Sequence, residues 1–227
     1  MARMDAARQR PTHLAPRALL LVAAAALMST GCTTGSRSTA DSFRLIFHKP
    51  VEVSPEAIAA KRFPQILIQA PDITAIAVLG YVDNGRQQWY AGNQVVFETD
   101  NNGVLLSSDG LKHQRRSRIL GKSPFESLRT TTSLTTVTRQ YDWVPEYQVN
   151  VPVTGKLAPG RMETVEILKV PRRLQRFEEE LSGPNFRARN TYWVDPSTGF
   201  IWKSRQYLAP GYPVEVTQLK PYRPTKE

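Results

Sequence analysis

The chain has 227 residues, 41% of them apolar, a formal net charge of +10 and a single cysteine. That length suffices to bury a substantial core as one domain. One cysteine excludes an internal disulfide, so the fold must be held by packing.

Residues 1–31 are expected to be removed. Arg3, Arg8, Arg10 and Arg17 make a basic start, and Ala18–Met28 is an unbroken apolar run of eleven, too short to span a bilayer as a stable helix. Ser29, Thr30 and Gly31 then lead into Cys32. A lone cysteine directly after glycine at the end of such a signal resembles the bacterial lipobox, where diacylglycerol is attached to the thiol and cleavage leaves the cysteine as the first residue. Ser29 stands where the lipobox usually has leucine. Cys32 is therefore the expected lipid-attachment site. Thr33 follows it rather than the aspartate associated with inner-membrane retention, so the expected address is the outer membrane, facing the periplasm. Removing the signal takes away four arginines and one aspartate, which lowers the net charge to +7. A surface of that sign suits anionic lipid head groups or an acidic polysaccharide, and the address argues against nucleic acid.

Residues 32–40 read as a flexible Ser/Thr/Gly tether, and 41–227 as a single β-rich domain. In Asp41–Phe47 the apolar residues recur at helical spacing. Ser54-Pro55-Glu56 is an N-cap followed by proline at the first helical position, which predicts a one- or two-turn helix ended by Pro64. From Gln65 the texture changes to short β runs: Ile66–Ala70, Thr74–Val82, Gln87–Tyr90, Val95–Thr99 and Val104–Ser107, with turns at Asp83-Asn84-Gly85, Asp100–Gly103 and Asp109-Gly110. Lys112–Lys122 reads as a basic strand or loop reaching solvent, and Ser123-Pro124 as another helix start. Ser133–Trp143, Gln148–Gly155 and Glu163–Val170 follow as separate strands, while Leu174–Leu181 fits helix or strand. Asn190–Pro221 is the clearest stretch. Two aromatic, β-branched runs flank a DPSTG turn, and a third, Tyr212–Leu219, alternates strictly, which predicts a three-stranded meander.

Components for catalysis are missing from the pattern. His48 and His113 are the only histidines after Cys32, with no carboxylate at metal-ligand spacing, and no nucleophile motif is present, so neither an enzyme nor a metal or cofactor site is expected. Glu178-Glu179-Glu180 reads as a solvated face. The tryptophans Trp89, Trp143, Trp193 and Trp202 all fall in predicted strands, where large rings either fill a curved sheet or stack on sugars. Trp193 and Trp202, with Arg205 beside them for acidic groups, are the candidate glycan-binding residues.

Three stretches carry a family resemblance: Cys32 followed closely by ADSFRLIF, then AVLGYVDNGRQQWYAGNQVVFETDNNGVLLSSDGL, then NTYWVDPSTGFIWKSRQYLAPGYPVEVTQLKP. The chain resembles the YjbF/GfcB family of outer-membrane lipoproteins of exopolysaccharide and group 4 capsule systems. The resemblance implies a mainly β fold, a large, strongly curved antiparallel sheet or partial barrel with short helices packed at its open side, and favours strand for Leu174–Leu181. It also implies a role in polysaccharide secretion or assembly, with a β-barrel outer-membrane protein and other periplasmic proteins of the same system as partners. A carrier holding an acyl chain in the concavity of the sheet is the alternative.

Overall fold

A computed structural model describes residues 51, 53–144 and 146–222. Cys32, the tether and the expected helix at Asp41–Phe47 lie outside the described residues. The first element, α1 (Pro55–Ala60), starts as its sequence dictates: the Ser54 side chain accepts the Ala57 N–H at 3.1 Å and Pro55 occupies the first turn. The buried Ile58 anchors the helix, and its carbonyl accepts from Gln65 Nε2 at 3.2 Å.

Twelve strands follow: β1 (Gln65–Ala70), β2 (Ile73–Asp83), β3 (Arg86–Ala91), β4 (Val95–Asp100), β5 (Leu105–Asp109), β6 (Gln114–Ile119), β7 (Thr135–Val144), β8 (Gln148–Ile167), β9 (Val170–Gly183), β10 (Phe186–Val194), β11 (Ile201–Ala209) and β12 (Tyr212–Lys220). Each pairs antiparallel with its chain neighbours, and β1 also pairs with β12, Leu67 opposite Thr217 and Ile68 opposite Val216. The sheet is therefore a closed barrel, and the expected partial barrel with helices at an open side is corrected. Closure removes both sheet edges, which would otherwise present unpaired backbone groups.

Two further expectations change. The strands expected at Gln148–Gly155 and Glu163–Val170 are one strand, β8, whose register with β9 shifts between Pro159 and Met162. Pro159-Gly160 looks like a turn in the sequence, but proline and glycine are also the residues a bulge tolerates. The true turn is Leu168-Lys169, both at positive φ, a two-residue connection that no Asn-Gly pair announces. Leu174–Leu181 is strand, as the resemblance implied. The DPSTG turn forms as predicted: Gly199 adopts φ 79° and its N–H donates to the Asp195 carbonyl at 2.8 Å.

A barrel of twelve strands encloses a wide lumen, and here side chains fill it. Trp89, Phe97, Tyr141, Phe177, Phe186 and Tyr192 are all fully buried within it. Between β6 and β7 the 3-10 segment Pro124–Thr130 closes one end, packing Phe125 and Leu128 against Val104, Tyr192 and Ile201. The Phe125 and Tyr192 rings meet edge to face, with centroids 4.9 Å apart. Trp89 and Trp143 face inward, their indole N–H groups donating to Thr99 Oγ1 at 3.0 Å and to the Leu208 carbonyl at 2.6 Å.

Candidate functional site

Charged groups occupy two environments that differ by one residue along a strand. Arg139 on β7 projects into the lumen, where it makes a two-pronged ion pair with Glu179 on β9, Nε to Oε1 at 2.8 Å and an amino group to Oε2 at 2.9 Å. The same carboxylate accepts from Tyr192 Oη at 2.8 Å and from Asn190 Nδ2 at 3.0 Å. Gly155 makes room for it, since a Cβ there would lie 2.3 Å from Glu179 Oε1. Burial opposes the Arg139 charge, but Glu179 outweighs it and raises the guanidinium above its ordinary value. Burial and the Glu179 charge push the Tyr192 phenol well up, so it stays a proton donor. All four side chains are sealed from solvent. The cluster satisfies its own hydrogen bonds and offers nothing to a substrate outside. Glu179 thus departs from the expected solvated Glu178–Glu180 run, because strand geometry sends the middle residue inward.

Arg115 corrects the expectation that Lys112–Lys122 faces solvent throughout. On β6 the residues alternate, so Arg116 and Arg118 point out while Arg115 is buried. Its guanidinium donates to the Tyr207 carbonyl at 2.5 Å and the Leu105 carbonyl at 3.2 Å, and lies 4.4 Å from the Tyr141 ring centroid.

The residues singled out for glycan binding separate. Trp202 sits at the register shift between β10 and β11 and is buried with Ile167 and Leu174 under the tip of the β8–β9 hairpin, with the Arg172 guanidinium 3.6 Å from its ring centroid. Trp193 is half-buried on the outer wall at the edge of that cluster, opposite Lys203, and its indole N–H donates to Glu163 Oε2 at 2.8 Å. That indole, with Arg161 and Arg176, holds the Glu163 carboxyl down at about 2. Arg205 is exposed on the same wall, opposite Thr191 and Glu215. Trp193 and Arg205 therefore share a face that Trp202 does not offer to a ligand.

Sequence reading missed a groove of about 440 Å³ on the opposite side of the outer wall, where β5 meets β6. One register row crosses it: Tyr81 on β2, then Gln88, Glu98, Ser107, Arg116 and Asp142 on β7. Ser107, 8% exposed, forms the floor between two long side chains. The six residues come from six strands, so only the pairing register brings them together. Among the described residues no group of three or more His, Cys, Asp or Glu is placed to hold a metal ion.

Residues 25–219 match the model of the family described as group 4 capsule polysaccharide lipoprotein gfcB, YjbF. The chain belongs to this family. The lipoprotein GfcB of Escherichia coli K12 is 25% identical over 209 residues, spanning 89% of this chain and 98% of that one. The lipoprotein YjbF of the same organism is 26% identical over 145 residues, 63% of this chain and 68% of its own length. The crystal structure of the lipoprotein YmcC from Escherichia coli K12 superposes with a TM-score of 0.68 at 24% identity, covering 77% of this chain and 92% of that one. That likeness establishes the fold. The chain is thus a β-barrel member of a family described by its capsule polysaccharide lipoproteins.

Proposed function

We propose that the chain is a lipid-anchored accessory protein of capsule or exopolysaccharide secretion, held at the outer membrane through Cys32, facing the periplasm and acting by binding rather than by catalysis. The observation that carries this reading is the family match over residues 25–219, a family described by its capsule polysaccharide. The signal-like start and lone Cys32 support the anchor. The filled lumen supports binding by the outer wall: the Arg139–Glu179–Tyr192 cluster is sealed from solvent. The packing of large side chains in the lumen speaks for the outer wall over the acyl-chain carrier that is the alternative. Expected partners are a β-barrel outer-membrane protein and other periplasmic proteins of the system, together with the polysaccharide.

Deleting the gene under conditions where the system is expressed is expected to lower surface polysaccharide, with restoration by the full chain. A Cys32→Ala chain is expected to lose membrane association on fractionation and to restore polysaccharide poorly. Unchanged polysaccharide in the deletion strain contradicts the role.

A further inference from the structure

The outer-wall groove has the chemistry of an extended saccharide site. The row Tyr81–Gln88–Glu98–Ser107–Arg116–Asp142 crosses six adjacent strands, about 24 Å at about 4.8 Å per strand; the groove covers its part from Gln88 to Asp142, and Tyr81 continues it beyond the β3 end. The groove lining crosses the β5–β6 seam, which has the fewest register pairs in the barrel. β5 and β6 share only two register pairs, Ser107 with Arg116 and Ser108 with Arg115, and the β4–β5 register shifts beside them, which places both Leu106 and Ser107 at the groove. At the β2–β3 end stands an aromatic surface. Tyr81 is exposed, and the Tyr90 ring lies over Gly80, where a Cβ would come within 2.6 Å of it; Tyr90 is 41% exposed, and its hydroxyl donates to Gln88 Oε1 at 3.1 Å.

The charges divide along the row. Glu98 is engaged by Arg86 at 2.9 Å and by Ser107 Oγ at 3.3 Å, and Asp142 Oδ1 accepts the Asn150 N–H at 2.7 Å. Among the described residues Arg116 makes no ion pair, and Arg118 donates only to the neutral oxygens of Gln140 and Asn150, at 3.3 and 2.7 Å. The aromatic end thus suits the apolar face of a sugar ring, Gln88 and Asp109 suit hydroxyls, and the two arginines suit a carboxylate.

We infer that this groove binds a segment of acidic polysaccharide, with its acidic substituent held by Arg116 and Arg118. The inference rests on the polysaccharide reading above and names the surface that does the binding, on the wall opposite Trp193 and Arg205.

The test uses the membrane-extracted full chain, titrated with polygalacturonate oligosaccharides as the acidic probe and dextran oligosaccharides as the neutral one. The native chain is expected to prefer the acidic probe. R116Q/R118Q, both exposed positions, is expected to weaken that binding about tenfold or more, as the loss of charge-assisted hydrogen bonds implies, while R205Q is expected to bind as the native chain does. Absence of binding by the native chain, or a loss in R205Q with R116Q/R118Q unaffected, overturns the inference. In the deletion strain, R116Q/R118Q at normal protein level is expected to restore polysaccharide poorly. Full restoration by that variant overturns the site but leaves the polysaccharide role standing, whereas a deletion without effect removes the role itself.

Discussion

The inner and outer faces of the β9–β10 hairpin carry the same chemistry, a glutamate and an aromatic ring paired with arginine, the inner arginine coming from β7. Inside, Glu179 and Tyr192 close a network with Arg139 in which every carboxylate oxygen has a donor. Outside, Glu178, Glu180 and Trp193 form pairs in contact with water, such as Arg189 with Glu180 at 2.9 Å. A charged pair in the sealed lumen has no water to replace a lost partner, so it specifies the fold. The outer pairs are screened by water and replaceable, so each is worth little to the fold.

The largest expected effect breaks the inner network. Glu179→Ala leaves Arg139 without its counter-charge in the lumen and is expected to cost about 3–5 kcal/mol in a denaturant titration, whereas Glu180→Ala on the outer face is expected to cost under about 1 kcal/mol. Equal effects would erase the distinction between the two faces. Gly155→Ala reaches the same network from β8: its Cβ collides with Glu179 Oε1, so a loss of about 1–3 kcal/mol is expected, and a neutral result would mean the carboxylate has room to move.

On the outer side, Arg172→Ala uncovers Trp202 and is expected to cost about 1 kcal/mol and to speed tryptic cleavage at the β8–β9 tip, with the barrel intact. The smallest effect depends on pH. The Glu163 carboxyl is held at about 2, below its ordinary 4.5. Because the folded value is the lower one, its contribution is complete above about pH 4.5 and disappears as pH falls toward 2. The stability difference between the native chain and Glu163→Gln should therefore shrink over that window. A pH-independent difference would show that the Trp193 hydrogen bond, not the carboxylate charge, carries the effect.

Much of the strand order was legible because its signals are local. Ser54-Pro55 begins a helix, DPSTG turns a hairpin, and alternation from Tyr212 to Leu219 marks a strand. Closure was not legible, since the β1–β12 pairing joins residues about 150 apart in the chain and no local pattern distinguishes an edge strand from one with two partners. The inward turn of Glu179 and Arg115 was hidden for a related reason: a run of like charges reads as solvated until the partner from another strand is known. Of the candidate residues, Trp193 and Arg205 lie on the outer wall and Trp202 beneath a hairpin tip, because a register shift separates Trp202 from its neighbours. The groove row depends on register across six strands and leaves no mark in any one of them.

Sealing of the lumen is the central claim, and native mass spectrometry of the exported chain carrying Cys32→Ala tests it most directly. The account predicts the mass of the bare polypeptide, because Trp89, Phe97, Phe177 and their neighbours already occupy the interior. A co-purifying acyl lipid, retained after delipidating washes and released only on unfolding, would contradict it and place a ligand inside the barrel.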